Sequence, residues 1–355
     1  MAAETLLPLF ESQRTLLRQL LGEGRHLHHA LLLSGLPGIG KGAFARALAQ
    51  GLLCERLSVM RPPLNACGHC AACKWFVSGI HPDFRLLDLP ISESRTARVR
   101  DSSLAAGRAW EISIDQVREL EPFITTTSAR GHARVVLIDP AQLLSMPAAN
   151  ALLKMLEEPG ENTWFLLVTH MPSAVPPTVR SRCRSVTIAS PSLEEARIWL
   201  QQETRTDDEQ ARQLLAWSGM APLHARTLAD PALLTVYRAL LSSLSALPDT
   251  ELDTVADKAT SMPAAIWYYL LLRWISDLMR AHAGAAPRFF PESASRLASL
   301  ARRCSTHGLA EVSAALQRQA GLVNHPLNPR LFMESALSTY LTVFTHHSSS
   351  SLRAH

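Results

Sequence analysis

Apolar residues recur along the first 190 positions of the chain in two alternating rhythms. Short unbroken runs lie at 30–34, 134–139, 164–168 and 184–188, with a weaker one at 83–89. Runs of this length bounded by turn residues predict buried strands. Between them the spacing changes to three and four. Leu16, Leu17, Leu20 and Leu21 mark a helix over 13–21, and Phe44, Leu48 and Leu52 share one helix face. Residues 112–120 and 148–158 predict two more helices, the second stopped by Pro159. Strands that alternate with helices predict a parallel α/β sheet covered on both faces. After Pro191 the strand pattern ends: residues 193–217, and then 231 onward, predict helices only, divided at 219–222, 283–291 and 322–329. Residues 346–355 predict a frayed polar tail. The longest apolar block, 264–272, stops at Arg273, well short of the ~20 residues of a membrane span.

The first strand runs into GLPGIGKG, residues 35–42, and then into a helix. Strand, glycine loop and helix are the layout of a phosphate-binding loop, in which backbone N–H groups and a lysine hold phosphates. Gly35, Pro37, Gly38, Gly40 and Lys41 fit that pattern, but Gly42 stands where a Ser or Thr would coordinate Mg²⁺. Asp139 ends a strand where it could hold Mg²⁺ through water, or simply cap the next turn. Pro140 follows it and offers no proton acceptor. These residues predict nucleotide binding without efficient hydrolysis.

Cysteines change the picture between 54 and 83, where regular periodicity breaks down around Pro62, Pro63 and Gly68. Cys54, Cys67, Cys70 and Cys73 form C-x12-C-x2-C-x2-C. Four thiolates suit a closed structural zinc site, which would replace a core the insert cannot build. Unpaired thiols, a disulfide pair and an iron–sulfur cluster are the alternatives, with His69 and His81 as substitute ligands. Cys304 stands apart and is expected in a helix. Two further clusters carry charge. Arg180, Arg182 and Arg184 fall within five positions; they could reach a neighbour's phosphate, form a solvated loop, or pair with Glu157 and Glu158. In 150–159, Leu152 and Leu156 point to a core, whereas Asn150, Lys154 and the two glutamates could face a partner.

Composition adds bounds rather than detail. With 355 residues, two or three domains are expected. At 47% hydrophobic and 19% charged the chain can build cores, and a net charge of +4 permits nucleic-acid contact without arguing for it. No leader pattern is visible, and six cysteines do not suggest a secreted disulfide scaffold, so a cytoplasmic protein is expected.

The phosphate loop, the four-cysteine insert, HPDF from His81, ISIDQVREL from Ile112, NALLKMLEEP from Asn150, TVRSRC from Thr178 and LNPRLFMESAL from Leu327 occur in this order. Together they resemble bacterial DNA polymerase III clamp-loader subunits of the AAA+ class, over almost the whole chain. Gly42 and Pro140 resemble the non-motor, delta-prime branch rather than the gamma and tau motors, although Lys41, lost in some of that branch, is retained. The resemblance implies an AAA+ domain at 1–189 holding a zinc module at about 54–83. It further implies a helical lid at 190–232, a helical collar at 233–345 and a tail at 346–355. It implies that Arg182 acts as an arginine finger in a neighbouring motor's ATP site and that Thr169 sits at a nucleotide-sensor position. The implied partners are gamma/tau and delta in a five-subunit ring, the sliding clamp and primed DNA. The chain itself would be neither a polymerase nor an efficient ATPase. Two rival readings remain: a self-sufficient ATPase motor, and a zinc-dependent nucleic-acid binder. The second is poorly served by an insert whose only basic candidates near the cysteines are Lys74 and His69.

Overall fold

The computed structural model describes residues 6, 9–56, 65–88, 111–126, 128, 133–260, 262–320, 323 and 328–345. The expected loop at 90–108, the tail at 346–355 and residues 57–64 of the cysteine insert lie outside the described residues. The chain divides into two compact units, Met1–Glu195 and Ala196–His355.

Five strands build the first unit: β1 (Ala30–Ser34), β2 (Phe84–Leu87), β3 (Arg134–Ile138), β4 (Thr163–Thr169) and β5 (Arg184–Thr187). All pair in parallel in the order β2-β3-β4-β1-β5, with Ala30 opposite Phe165 and Leu31 opposite Arg184. The unbroken apolar runs follow from burial on both faces. Leu31, Leu33, Val135, Leu137, Leu166 and Val168 pack on one side, against helices α1 (Glu11–Gly22) and α2 (Lys41–Leu53). Ala30, Leu32, Val136, Ile138, Phe165 and Leu167 pack on the other. That face is covered by α4 (Ile114–Arg118), α5 (Leu120–Thr125), α6 (Met146–Glu157) and α7 (Pro177–Arg180). Each large side chain buried this way contributes about 1.5–3 kcal/mol.

Two local expectations change. The cysteine insert is not wholly irregular: it contains helix α3 (Ala71–Val77), whose N-cap is Cys70. The single helix expected over 112–120 is shorter and broken. Ile112 bridges to Leu144, and Ser113 starts α4 with a reciprocal capping box to Gln116. Pro122 has no N–H to return to the Arg118 carbonyl, so α4 stops and α5 begins anew.

The second unit is helical throughout its described residues: α8 (Leu193–Thr204, which straddles the division), α9 (Asp208–Trp217), α10 (Pro222–Leu228), α11 (Pro231–Ala246), α12 (Leu252–Thr260), α13 (Ala264–His282), α14 (Ala294–Ala301), α15 (Thr306–Gln319) and α16 (Pro329–Thr345). One apolar cluster runs from Ala196 to Val343 and buries Tyr237, Tyr268, Trp274, Phe290 and Tyr340. The indole of Trp274 donates to the Tyr340 hydroxyl at 3.0 Å. Asp277 is fully buried, and its carboxylate accepts the backbone N–H groups of Arg288, Phe289 and Phe290 at 2.7–2.8 Å, fixing the turn after α13. Cys304 is buried, but in the connection between α14 and α15 rather than in a helix, and burial pushes its thiol up to about 11. Among the described residues no helix is long and apolar enough to cross a membrane.

Candidate functional site

The phosphate loop leaves β1 after Ser34 and ends at Gly40, the N-cap of α2, with φ at 92°. A side chain at Gly40 would suit neither that backbone nor its surroundings: a Cβ would lie 2.8 Å from the Leu9 Cδ1. Gln13 of α1 braces the loop from beneath by donating to the Ile39 carbonyl at 2.8 Å. Lys41 is turned inward and only 8% exposed, and its Nζ donates to the Leu36 carbonyl at 2.7 Å. Burial pulls its ammonium down to about 8, opposed by the charge of Asp139.

Asp139 lies beside Gly42: a Cβ at residue 42 would come within 2.8 Å of Asp139 Oδ2, the end of a side chain that would have to turn aside. Thr169 is buried at the end of β4, where its Oγ1 accepts the Met171 N–H at 3.0 Å. His170, which the motifs did not single out, stands beside this site. Its Nδ1 accepts from the Gln142 amide at 2.9 Å, and its imidazole is held below the usual range by desolvation and then by the Lys41 charge. The loop therefore brings a buried amine and a carboxylate to the start of α2. It has neither a hydroxyl at 42 nor a base at 140.

The four cysteines do come together. Their sulfurs all lie within 4.8 Å of one another, and those of Cys67 and Cys73 are 4.0 Å apart. Zn–S bonds of about 2.3 Å at tetrahedral angles place sulfurs about 3.8 Å apart, so the set fits a metal ion of that kind. Backbone N–H groups aim at the sulfurs: Cys67 N at Cys54, His69 and Cys70 N at Cys67, and Cys73 N at Cys70, all at 3.3–3.4 Å. Such donors favour thiolates. Cys54 is held low by the thiol of Cys73, which is itself pushed up by the same contact. Among the described residues the apolar side chains clustered with the cysteines are Ala66 and Ala72. The two histidines are not brought into the set. His69 is exposed, and buried His81 uses Nδ1 to accept the Asp83 N–H at 3.0 Å.

The three arginines separate. Arg184 forms a two-point pair with Glu23, Nη1 to Oε2 at 2.5 Å and Nη2 to Oε1 at 3.0 Å. Arg180 has its Nε buried without a hydrogen-bond partner. Arg182 lies in the turn between α7 and β5 and pairs with Glu157 at the end of α6. Cys183 beside it is half-buried, and desolvation pushes its thiol up to about 12. In α6 the expected division holds: Leu152 and Leu156 are buried, whereas Asn150, Lys154, Glu157 and Glu158 are exposed.

Comparison with known proteins bears on most of the chain. The family described as "DNA polymerase III, delta subunit" matches residues 11–192. The chain is 32% identical over 275 residues to DNA polymerase III subunit delta' of Pseudomonas aeruginosa, covering 77% of each protein. It is 32% identical over 274 residues to the Escherichia coli K12 subunit delta', covering 73% of this chain and 72% of that one. Similarity to E. coli K12 subunit tau, 35% over 212 residues, covers 58% of this chain and 29% of tau.

Proposed function

The chain belongs to the delta-prime family of DNA polymerase III subunits, and from that premise we propose that it is the non-motor stator of a clamp loader. It works in a five-subunit ring with gamma or tau motors and a delta subunit, and the ring places the sliding clamp on primed DNA. Its AAA+ domain, 1–189, carries the phosphate loop and a structural zinc at Cys54, Cys67, Cys70 and Cys73. Residues 190–232 form the lid and 233–345 the collar that joins the ring.

Gly42 and Pro140, on either side of the Asp139 carboxylate that reaches towards residue 42, are the observation that carries this reading. With no hydroxyl at 42 and Pro140 after the carboxylate, Gly35, Pro37, Gly38, Gly40 and Lys41 can hold phosphate but cannot organise water attack. A phosphate that enters displaces the Lys41 ammonium from the Leu36 carbonyl. The chain's contribution to turnover lies instead at Arg182. An arginine at a neighbour's γ-phosphate stabilises the charge that develops on the transferred group.

Turnover by the purified chain alone, with Mg²⁺, primed DNA and clamp, is expected to be absent. In the assembled complex Arg182→Ala is expected to slow the adjoining motor's site by about 10³-fold or more. Turnover that follows this chain through purification and vanishes in Lys41→Ala would instead make the subunit a motor.

A further inference from the structure

Arg182 does not stand free in the turn that carries it. Its Nε donates to Glu157 Oε1 at 2.7 Å, and Nη2 pairs with the same oxygen. Nη1 donates to the Thr178 carbonyl at 3.0 Å, with the Ser181 hydroxyl a longer contact at 3.4 Å on the same nitrogen. Glu157 and Thr178 together occupy three of the five N–H groups of the guanidinium. The second hydrogen on Nη2 is left for an outside acceptor, and the second on Nη1 meets only the long 3.4 Å contact to the Ser181 hydroxyl, which a phosphate oxygen can displace. That pair is the edge through which arginine grips a phosphate at two points.

Glu157 is well placed to hold this geometry. It is the last residue of α6, a helix started by the Ser145 side chain and pinned by buried Leu152 and Leu156. It lies 25 residues before Arg182 in sequence, so the contact ties the end of α6 to the turn before β5. A carboxylate at a helix C-terminus faces the negative end of the helix dipole, and the guanidinium offsets that charge. Both partners are partly solvent-exposed, at 36% and 50%, so the pair adds little to stability. Its effect is on where the guanidinium points.

We infer that Glu157 is the positioning residue of Arg182: it fixes the Nε edge so that the two terminal N–H groups are presented to the neighbour's phosphate. The inference rests on the trans role of Arg182 proposed above. Holding a long side chain in advance removes an ordering cost from the step that uses it. In the assembled complex, Glu157→Ala is expected to lower kcat for ATP by about two- to ten-fold with KM unchanged. Glu157→Gln keeps an acceptor oxygen and is expected to lose less. Neither variant should alter co-elution of the subunit with its partners, and Glu157→Ala added to Arg182→Ala should change nothing further. An unchanged kcat in Glu157→Ala, beside a crippled Arg182→Ala, would overturn the inference and leave the trans role standing. A raised kcat would also overturn it, because Glu157 would then be holding Arg182 back. Full activity in Arg182→Ala would remove the trans role itself, and the inference with it.

Discussion

A single buried amine sets the electrostatics of the phosphate loop. Lys41 loses its proton near pH 8 in the folded protein but only near 10.5 when unfolded. Between those values the unfolded chain binds more protons than the folded one, so the contribution of Lys41 to stability rises as pH rises. Below pH 8 both forms are charged and the fold bears the full burial cost, on the order of 1–3 kcal/mol. Lys41→Met removes that cost. The variant is therefore expected to unfold at higher denaturant than wild type at pH 7, with the gap closing towards pH 10. A gap that stays constant from pH 7 to 10 would mean that the lysine is not held against its charge. The same titration governs ligands: phosphate affinity at this loop should weaken above pH 8, as the ammonium that would meet the phosphate is lost.

At the scale of elements, the cysteine end of the insert depends on something other than apolar burial. Phe76 anchors α3 to the core of the sheet, against Phe84 at 4.7 Å, but the cluster around the sulfurs holds only alanines and cysteines among the described residues. A metal that joined Cys54 at the start of the insert to Cys67, Cys70 and Cys73 would supply the missing tie. One zinc per chain is expected on metal analysis. Its removal with a strong chelator, or Cys70→Ser, should raise hydrogen exchange across 66–77 while β1, β3 and β4 stay protected. Protection of 66–77 that survives complete metal removal would count against the site. This insert also shows what was legible beforehand. Four cysteines at close spacing announce a ligand set because the information is local, and the strands of the sheet show for the same reason, as unbroken runs buried on two faces. Helix α3 was hidden because its cap is a cysteine side chain, outside the usual Ser, Thr, Asp and Asn signals. The contacts that decide the chemistry were hidden because they join distant positions. Gly42 reads as a missing hydroxyl, and only the fold brings the Asp139 carboxylate beside it. Glu157 could have paired with any of three arginines, and only the turn after α7 selects Arg182. His170 carries no motif and comes to the site solely because β4 ends beside the loop.

At the scale of the whole chain, the two units are built on different principles. The first buries two apolar layers on either side of a parallel sheet, and the second buries one cluster among helices, rich in aromatic rings. The rings of the second unit are tied by specific polar contacts, with Tyr268 donating to the Leu316 carbonyl and Trp274 to Tyr340. Asp277 locks the 288–290 turn against the same cluster. None of these ties involves the phosphate loop or the cysteine set, which lie wholly in the first unit. A core complete within each unit is the condition for domains that unfold separately rather than as one two-state body. Calorimetry of the full chain is therefore expected to resolve two transitions. Chelation of the metal should lower only the transition in which exchange protection of β1, β3 and β4 is lost. Asp277→Ala leaves three N–H groups without their acceptor, of which that of buried Phe290 alone costs about 1–3 kcal/mol, and should lower only the other. A single transition that shifts as a whole under both changes would show that the two cores unfold as one. The protein would then owe its stability to the entire chain rather than to each unit by itself.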